Sequence, residues 1–373
     1  MTTTGLLPVG LRDRLPPEAE AASRLLHRMI VAIGRHGYER VSPPLAEFED
    51  ELVGRLKSAR AQDLLRFVDP VSQRTLALRP DITAQVGRIA ATRMAHRPRP
   101  LRLAYGGPVL KLRATQLRPE REQIQAGAEL IGSDSPAAAI EVLGVAIEAL
   151  EIAGVEGITV DLTLPDLVET LSRDAMPLAP DRLEAVRDML DAKDAGGLAA
   201  LGAAAYLPFI HAAGPIAPAL ERLRALGLAA LDTRLAGVEA IAAAFEGRVT
   251  LTLDPTERHG FEYQSWIGFS LFGRGLSGEV GRGGSYAVVH HGRADEAREE
   301  LATGFSLYVD PLVDAGLGRE PARRLFVPIG ADPAAAARLR GEGWTTIAAL
   351  SAADDAAALA CTHRLEGGNP VGL

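Results

Sequence analysis

The stretch Glu122–Ile131 constrains the fold more than any other part of the chain, because it has the clearest alternation of polar and apolar residues in the sequence. Alternation with a period of two is typical of a β-strand that lies with one face on a core. The apolar positions are Ile124, Ala126, Ala128 and Leu130, and the opposite positions are Gln123, Gln125, Gly127 and Glu129. We therefore expect a sheet with one polar face.

The polar face of this strand predicts a small binding slot. Gln125 and Glu129 are four residues apart, or about 13 Å along a strand, and Gly127 between them provides no side chain to fill the gap. A small amino acid could lie along the strand, with an amide at one end and a carboxylate at the other. The alternative is a solvent-exposed sheet face, although Lys, Thr or Ser would be more usual there.

The segments before this strand predict more of the same sheet. Residues 64–68 and 75–78 read as a hairpin, and residues 101–105 and 109–113 read as two strands joined through Gly106, Gly107 and Pro108. A helix is expected to start at 79–81, where the helix dipole would stabilise the carboxylate of Asp81. In the simpler interpretation, Asp81 and Thr83 are ordinary residues of a helix N-terminus.

The first predicted strand could lie at an edge of this sheet. A helix is predicted over 17–36, followed by a short strand over 38–41 that Pro43 and Pro44 must end, since proline cannot donate to a ladder. Edge strands invite partners, so this strand could form a dimer contact. A simple entry into a loop is an equally good interpretation.

The order of elements predicts an α+β chain in three parts. The core comprises 1–164 and 246–317, with an antiparallel sheet flanked by helices, and a helical insertion occupies 165–245. Residues 318–373 form a small α/β appendage with strands over 325–329, 344–350 and 362–365, and with helices starting at Asp332 and covering 352–360.

The glycine-rich stretch 278–286 is ambiguous as a ligand site. It matches neither a phosphate-binding loop nor a dinucleotide fingerprint, and a hairpin turn is the favoured interpretation. Gly283 and Gly284 would otherwise let the backbone approach a ligand.

Composition narrows the functional classes. The net charge of −8 disfavours binding to nucleic acid. The only cysteine, Cys361, excludes an internal disulfide or a cysteine-rich metal site and is typical of a cytoplasmic protein. No targeting signal is evident. Residues 197–220 lack charged side chains, but prolines and glycines interrupt them, so we expect no membrane span.

These segments, in this order, resemble class II histidyl-tRNA synthetases over residues 8–313, and more closely their non-catalytic relatives, the ATP phosphoribosyltransferase regulatory subunits. The matching motifs are Gly37–Pro44, Leu78-Arg79-Pro80-Asp81-Ile82-Thr83, His259-Gly260-Phe261-Glu262-Tyr263 and Gly283-Gly284-Ser285-Tyr286. The resemblance implies the class II synthetase-like fold. It also implies candidate histidine-binding residues, which are Asp81, Thr83, Lys111, Gln125, Glu129, Tyr263 and Tyr286.

The departures from the synthetase motifs bear on catalysis. Lys111 replaces the motif 2 arginine, Arg113 replaces the adjacent acid, and Pro311 replaces the motif 3 arginine. His259 stands at the histidine-specific arginine, unless Arg258 takes that place. Since these charges would stabilise phosphoryl transfer, we expect amino-acid activation to be lost.

The resemblance therefore predicts a non-catalytic regulatory subunit without cofactor or metal. It would form a homodimer, join a short-form ATP phosphoribosyltransferase catalytic subunit and respond to histidine as effector, with no role in tRNA binding. A divergent histidyl-tRNA synthetase or a related amino-acid-activating ligase is the enzymatic alternative. An assembly scaffold with a vestigial slot is the third possibility.

Overall fold

The computed structural model describes residues 6–53, 64–112, 120–258, 264–291, 297–321 and 323–373. The chain forms two compact units, Met1–Gly318 and Arg319–Leu373. Within the described ranges the strands are β1 (Glu39–Arg40), β2 (Ala46–Phe48), β3 (Leu65–Val68), β4 (Thr75–Leu78), β5 (Leu101–Leu110), β6 (Glu122–Ile131), β7 (Thr159–Thr163), β8 (Gly214–Pro215), β9 (Thr250–Asp254), β10 (Gln264–Phe272), β11 (Gly281–His291), β12 (Ala297–Tyr308), β13 (Arg324–Val327), β14 (Thr345–Ala348), β15 (His363–Glu366) and β16 (Asn369–Gly372).

The same ranges also contain α-helices. In chain order they are α1 (Glu18–Arg35), α2 (Glu49–Val53), α3 (Thr83–Thr92), α4 (Pro136–Ile152), α5 (Leu167–Arg173), α6 (Leu183–Asp191), α7 (Ala195–Ala200), α8 (Leu207–His211), α9 (Ile216–Ala225), α10 (Asp232–Ala244), α11 (Asp310–Asp314) and α12 (Pro333–Gly341). The chain is α+β, with a large sheet flanked by helices, as the sequence predicts.

A nine-stranded sheet forms the centre of the larger unit, in the order β1-β5-β6-β12-β11-β10-β7-β9-β8. Its pairs are antiparallel except β1 with β5 and β7 with β9. β6 lies between β5 and β12, with Gly127 opposite both Tyr105 and Ser306. This register places side chains from three strands around one glycine.

The apolar face of this sheet packs on α1 and α4. The face that α1 buries carries Leu25, Met29 and Ile33, each with no exposed surface. α4 begins where the Ser135 hydroxyl accepts a hydrogen bond from Ala138 N at 3.2 Å and Pro136 supplies the first helical residue. The core therefore lies behind the sheet and leaves its polar face for other elements.

The polar face meets α3, and a small sheet of order β2-β4-β3 precedes this helix in the chain. The predicted hairpin of β3 and β4 is present and leads directly into α3. Between β7 and β9 the chain forms the six helices α5 to α10, and β8 joins the large sheet beside β9.

The smaller unit is a four-stranded sheet of order β14-β13-β15-β16 with α12. Asp332 caps α12 by accepting hydrogen bonds from Ala334 N and Ala335 N. The helix predicted over 352–360 was wrong, because this stretch forms turns in which Asp354 and Asp355 bind nearby backbone N–H groups. The strand β16 has no counterpart among the elements that the sequence predicts.

Two further predictions within the large sheet were wrong. Residues 101–110 form one strand through Gly106, Gly107 and Pro108 instead of two strands with a turn. The favoured hairpin turn at 278–286 is largely the start of β11, where Gly283 lies against the ring of Phe269 and the carbonyl of Gly304. In both cases pairing across the sheet overrides the local turn preference of glycine and proline.

Candidate functional site

The polar face of β6 and its neighbours carries a buried cluster of hydrogen-bonding side chains. Five of the sequence-predicted residues meet here: Asp81 and Thr83 at the start of α3, Gln125 and Glu129 on β6, and Tyr286 on β11. Tyr105 on β5 and Ser306 on β12, which the sequence reasoning missed, complete the cluster. We call these seven residues the polar cluster.

Gln125 is fixed by contacts on both sides of its amide. Its nitrogen donates to Oδ2 of Asp81 at 2.6 Å and to Ser306 Oγ at 2.5 Å. Its oxygen accepts from Ile82 N at 3.1 Å. Because Asp81 also accepts from Thr83 N at 2.7 Å, the start of α3 is joined directly to the middle of β6.

The hydroxyl of Tyr105 is the centre of the polar cluster. It donates to Oε1 of Glu129 at 2.9 Å and lies 3.1 Å from both Thr83 Oγ1 and Ser306 Oγ. Tyr105 has no exposed surface, so burial raises the pKa of its hydroxyl well above the usual range. The hydroxyl is therefore a neutral donor near physiological pH.

Glu129 is a buried carboxyl group without a cationic partner in the described part of the chain. It is 1% exposed, and its second oxygen accepts from the Tyr286 hydroxyl at 2.7 Å. Burial raises the pKa of Glu129 to about 8, although the hydrogen bonds from Tyr286 and Tyr105 favour the charged form and partly oppose this rise. An uncompensated group of this kind suits a ligand cation or hydrogen-bond donor.

The gap expected above Gly127 is filled. A side chain at this position would overlap the Tyr105 hydroxyl and the carbonyl of Phe305. The prediction that this glycine leaves an open slot was therefore wrong, since the glycine admits a tyrosine from the neighbouring strand. Gln125 and Glu129 stand on either side of that tyrosine hydroxyl.

Gly304 has a comparable role beside Glu129, which is its partner across the β6 and β12 pair. A Cβ at Gly304 would overlap the Glu129 carboxylate and approach Ala128 O at 2.9 Å. The missing side chain lets this carboxylate reach Tyr286, two strands away from β6.

Lys111 lies directly after the end of β5. Leu103 of this strand is opposite Glu129, so the backbones of Lys111 and Glu129 are about 26 Å apart along the strand. The Lys111 ammonium lies 5.9 Å from the centre of the Tyr308 ring, and that ring is 5% exposed on the same sheet face.

The remaining candidates have different positions. Tyr263 and His259 lie outside the described residues, as does Arg113. Gly283 and Gly284 lie within β11, where Gly284 is opposite Gly304. The backbone at Gly284 is thus two strands from Glu129.

The cations expected of an activating enzyme are replaced or engaged elsewhere. Arg258 donates to Glu184 of α6 at 3.0 Å. Next to Pro311, the 4% exposed Asp310 pairs with Arg14 and accepts from Ile124 N at 2.8 Å. The described part of this segment therefore presents a buried acid.

Neither a metal site nor a membrane-spanning helix is found in the described ranges. Those residues contain no group of three or more His, Cys, Asp or Glu side chains that could hold a metal ion. They also contain no helix long and apolar enough to cross a membrane.

Comparison with known proteins gives a consistent result. The histidyl-tRNA synthetase family profile matches residues 10–312. The chain is 44% identical to the ATP phosphoribosyltransferase regulatory subunit of Rhodospirillum centenum, covering 97% of this chain and 95% of the relative. It is 45% identical to the regulatory subunit of Paramagnetospirillum magneticum, covering 96% of each.

Solved structures agree on the fold. A Bacillus halodurans protein described as an ATP phosphoribosyltransferase regulatory subunit/histidyl-tRNA synthetase matches with a TM-score of 0.80 and 26% identity, covering 96% of this chain and 97% of that chain. Histidyl-tRNA synthetase from Nostoc matches with a TM-score of 0.77 at 15% identity, covering 97% and 91%. The second likeness concerns the fold alone.

Proposed function

Because the chain belongs to the family of ATP phosphoribosyltransferase regulatory subunits, which have a histidyl-tRNA synthetase-like fold, we propose that it binds histidine and transmits its level to a short-form ATP phosphoribosyltransferase catalytic subunit. The partner would be a separate chain, and this chain would act in the cytoplasm as a homodimer within the complex. Its role would be regulation and support of catalysis in the first step of histidine biosynthesis.

The observation that carries this proposal is the uncompensated carboxyl of Glu129 beside the Asp81–Gln125 pair. The imidazole of histidine would meet Glu129 and Tyr286, and its ammonium group would meet Asp81 and Thr83. Charge-assisted hydrogen bonds of this kind stabilise a bound cation by about 1.5–3 kcal/mol each. Tyr105 would lie next to both the imidazole and the ammonium group, because its hydroxyl contacts Glu129 and Thr83.

The surroundings of two expected ATP-site positions support a non-catalytic role. Synthetase chemistry needs cations around a triphosphate, yet Arg258 is engaged by Glu184 and the position before Pro311 is the buried acid Asp310. Lys111 is a single point charge and lacks the two-pronged geometry of arginine.

Two measurements test the proposal. Mixing the purified chain with a short-form catalytic subunit should give a complex and raise the phosphoribosyltransferase rate, and added histidine should lower that rate. Calorimetric titration should show histidine binding that Glu129→Gln weakens at least about tenfold. Glu148→Gln is the matched control, because Glu148 lies on the surface beside His36. Absence of both complex and rate change would remove the regulatory role.

A divergent synthetase or related ligase is the second candidate, favoured by the match of the synthetase profile to residues 10–312. It predicts ATP–pyrophosphate exchange that depends on an amino acid. Exchange with histidine would support this enzyme over the regulatory subunit.

A further inference from the structure

The segment 43–47 lies at the molecular surface beside α3. It follows the edge strand β1 and enters β2, and Leu45 within it is 47% exposed. Most of its residues line a groove of about 740 Å³ whose opposite wall is α3. Any change in this segment would alter a surface that other molecules can contact.

Arg79 ties this segment to the central sheet from inside. It is 5% exposed, and its guanidinium donates to Pro43 O at 3.1 Å and to Pro108 O of β5 at 2.8 Å. Its backbone N–H donates to Leu45 O at 3.1 Å. The three acceptors are all backbone carbonyls, so Arg79 holds these segments through hydrogen bonds to the main chain.

Gln85 provides a second connection from α3. This side chain has no exposed surface, and its nitrogen donates to Pro44 O at 2.8 Å. Its oxygen lies 3.4 Å from the Arg79 guanidinium. Pro43 and Pro44 are therefore held by two buried side chains that also contact each other.

Both connections begin next to the residues that would receive a ligand ammonium. One residue separates Arg79 from Asp81, and Gln85 N donates to Ile82 O within the first turn of α3. A ligand that bound Asp81 Oδ2 would compete with Gln125 for this oxygen and would shift the start of α3. Because the connecting groups are buried and hydrogen-bonded, such a shift would be transmitted to the prolines.

From these contacts we infer that Gln85 and Arg79 couple occupancy of the Asp81–Gln125 pair to the position of the surface segment 43–47. This inference rests on the proposed histidine binding. It states how that binding would change a surface segment of the protein. The two residues are positioning residues, since neither contacts the ligand positions directly.

Hydrogen exchange of the full-length protein, with and without saturating histidine, tests this coupling. In the wild type, histidine should slow exchange of the amides at 45–48 about fivefold, and Gln85→Met should abolish most of this effect. Histidine affinity of the variant, measured by calorimetry, should stay within about fivefold of wild type, because the ligand contacts remain. A merely structural role would change exchange equally with and without histidine.

Gln123→Met is the matched control, since Gln123 is a 4% exposed glutamine on β6 whose side-chain oxygen has no hydrogen-bond partner in the described ranges. It should leave the histidine effect at 45–48 intact. Arg79→Lys serves as the second variant if Gln85→Met does not fold, and it should likewise reduce the effect.

Each result decides the inference. An unchanged histidine effect in Gln85→Met or Arg79→Lys would overturn the coupling. Histidine that binds by calorimetry but leaves 45–48 unaffected in the wild type would overturn the coupling and leave the proposed function standing. Absence of histidine binding would overturn both.

Discussion

The Tyr286 hydroxyl lies 2.7 Å from Oε2 of Glu129, although the two residues belong to strands separated by β12. Gly304, the residue of β12 opposite Glu129, has no side chain, so the Glu129 side chain extends across the intervening strand. This contact holds a buried carboxyl group that no protein cation in the described ranges compensates.

The pKa of Glu129 predicts a specific dependence of stability on pH. The pKa is about 8 in the folded protein and near 4.5 when the group is unperturbed, so the folded state binds more protons between these values. Stability therefore falls as pH rises through this window. Between pH 5 and 8, wild type should lose about 3 kcal/mol more unfolding free energy than Glu129→Gln. Urea denaturation at several pH values measures this, and parallel curves for the two proteins would contradict it.

Histidine binding near pH 7 should exchange much less than one proton with solvent. The free imidazole is largely neutral there, and the pKa of about 8 leaves free Glu129 largely protonated. In the complex, an imidazolium beside a Glu129 carboxylate would carry one proton, which is about the number that the free imidazole and free Glu129 carry together. Calorimetry in buffers of different ionisation enthalpy measures the exchange, and uptake or release near one proton would refute this pairing.

Tyr105→Phe should weaken histidine binding and destabilise the protein. The change removes a hydroxyl that contacts Thr83, Glu129 and Ser306, leaving buried polar groups at a cost of about 1–3 kcal/mol. Tyr206→Phe is a suitable control, because the Tyr206 hydroxyl donates to Met176 O among the helices between β7 and β9. This control should lose some stability but keep its histidine affinity, and equal loss of affinity in both variants would argue against a specific role of Tyr105.

Gly304→Ala should disrupt the polar cluster through sterics. The added methyl group overlaps the Glu129 carboxylate and lies beside a backbone carbonyl, so a destabilisation of about 1–3 kcal/mol is expected. Displacement of the carboxylate should also reduce histidine affinity. Thermal unfolding and calorimetry measure the two effects, and Gly34→Ala in α1 is the control because a methyl group there would point into open space. Wild-type affinity in Gly304→Ala would show that this carboxylate position does not matter for binding.

The chain should fail to catalyse histidine-dependent ATP–pyrophosphate exchange, and Pro311→Arg alone should not restore it. The new guanidinium would stand next to the buried Asp310, which is already held by Arg14. A radiolabelled exchange assay with a histidyl-tRNA synthetase as positive control measures this. Exchange by the wild-type chain would favour the synthetase candidate.

The periodicity of 122–131 predicted β6 and its polar face correctly, because alternation reports directly on a half-buried strand. The tyrosine over Gly127 could not be predicted in the same way. Its position depends on the pairing of Tyr105 with Gly127, and this register is set by the whole sheet. Ser306 was missed for the same reason. The one sequence signal for Tyr105 and Ser306 was Gly127, the glycine that both residues face.

Local preference misled the interpretation where long-range pairing was stronger. Gly106, Gly107 and Pro108 favour a turn, yet the strand continues through them, with Gly107 leaving room for the Arg79 guanidinium. At 352–360 a local interaction was overlooked instead. The alanine-rich composition favours a helix, but the side chains of Asp354 and Asp355 form local turns.

The Tyr105 hydroxyl has one hydrogen and several oxygen neighbours, including Phe305 O at 3.3 Å. While Glu129 is ionised, that hydrogen points to its carboxylate. When Glu129 carries a proton and donates it to Tyr105, the tyrosine must turn its hydrogen towards another acceptor, such as the Phe305 carbonyl. The hydroxyl chain consequently has a direction, and the charge on Glu129 reverses it without moving a heavy atom.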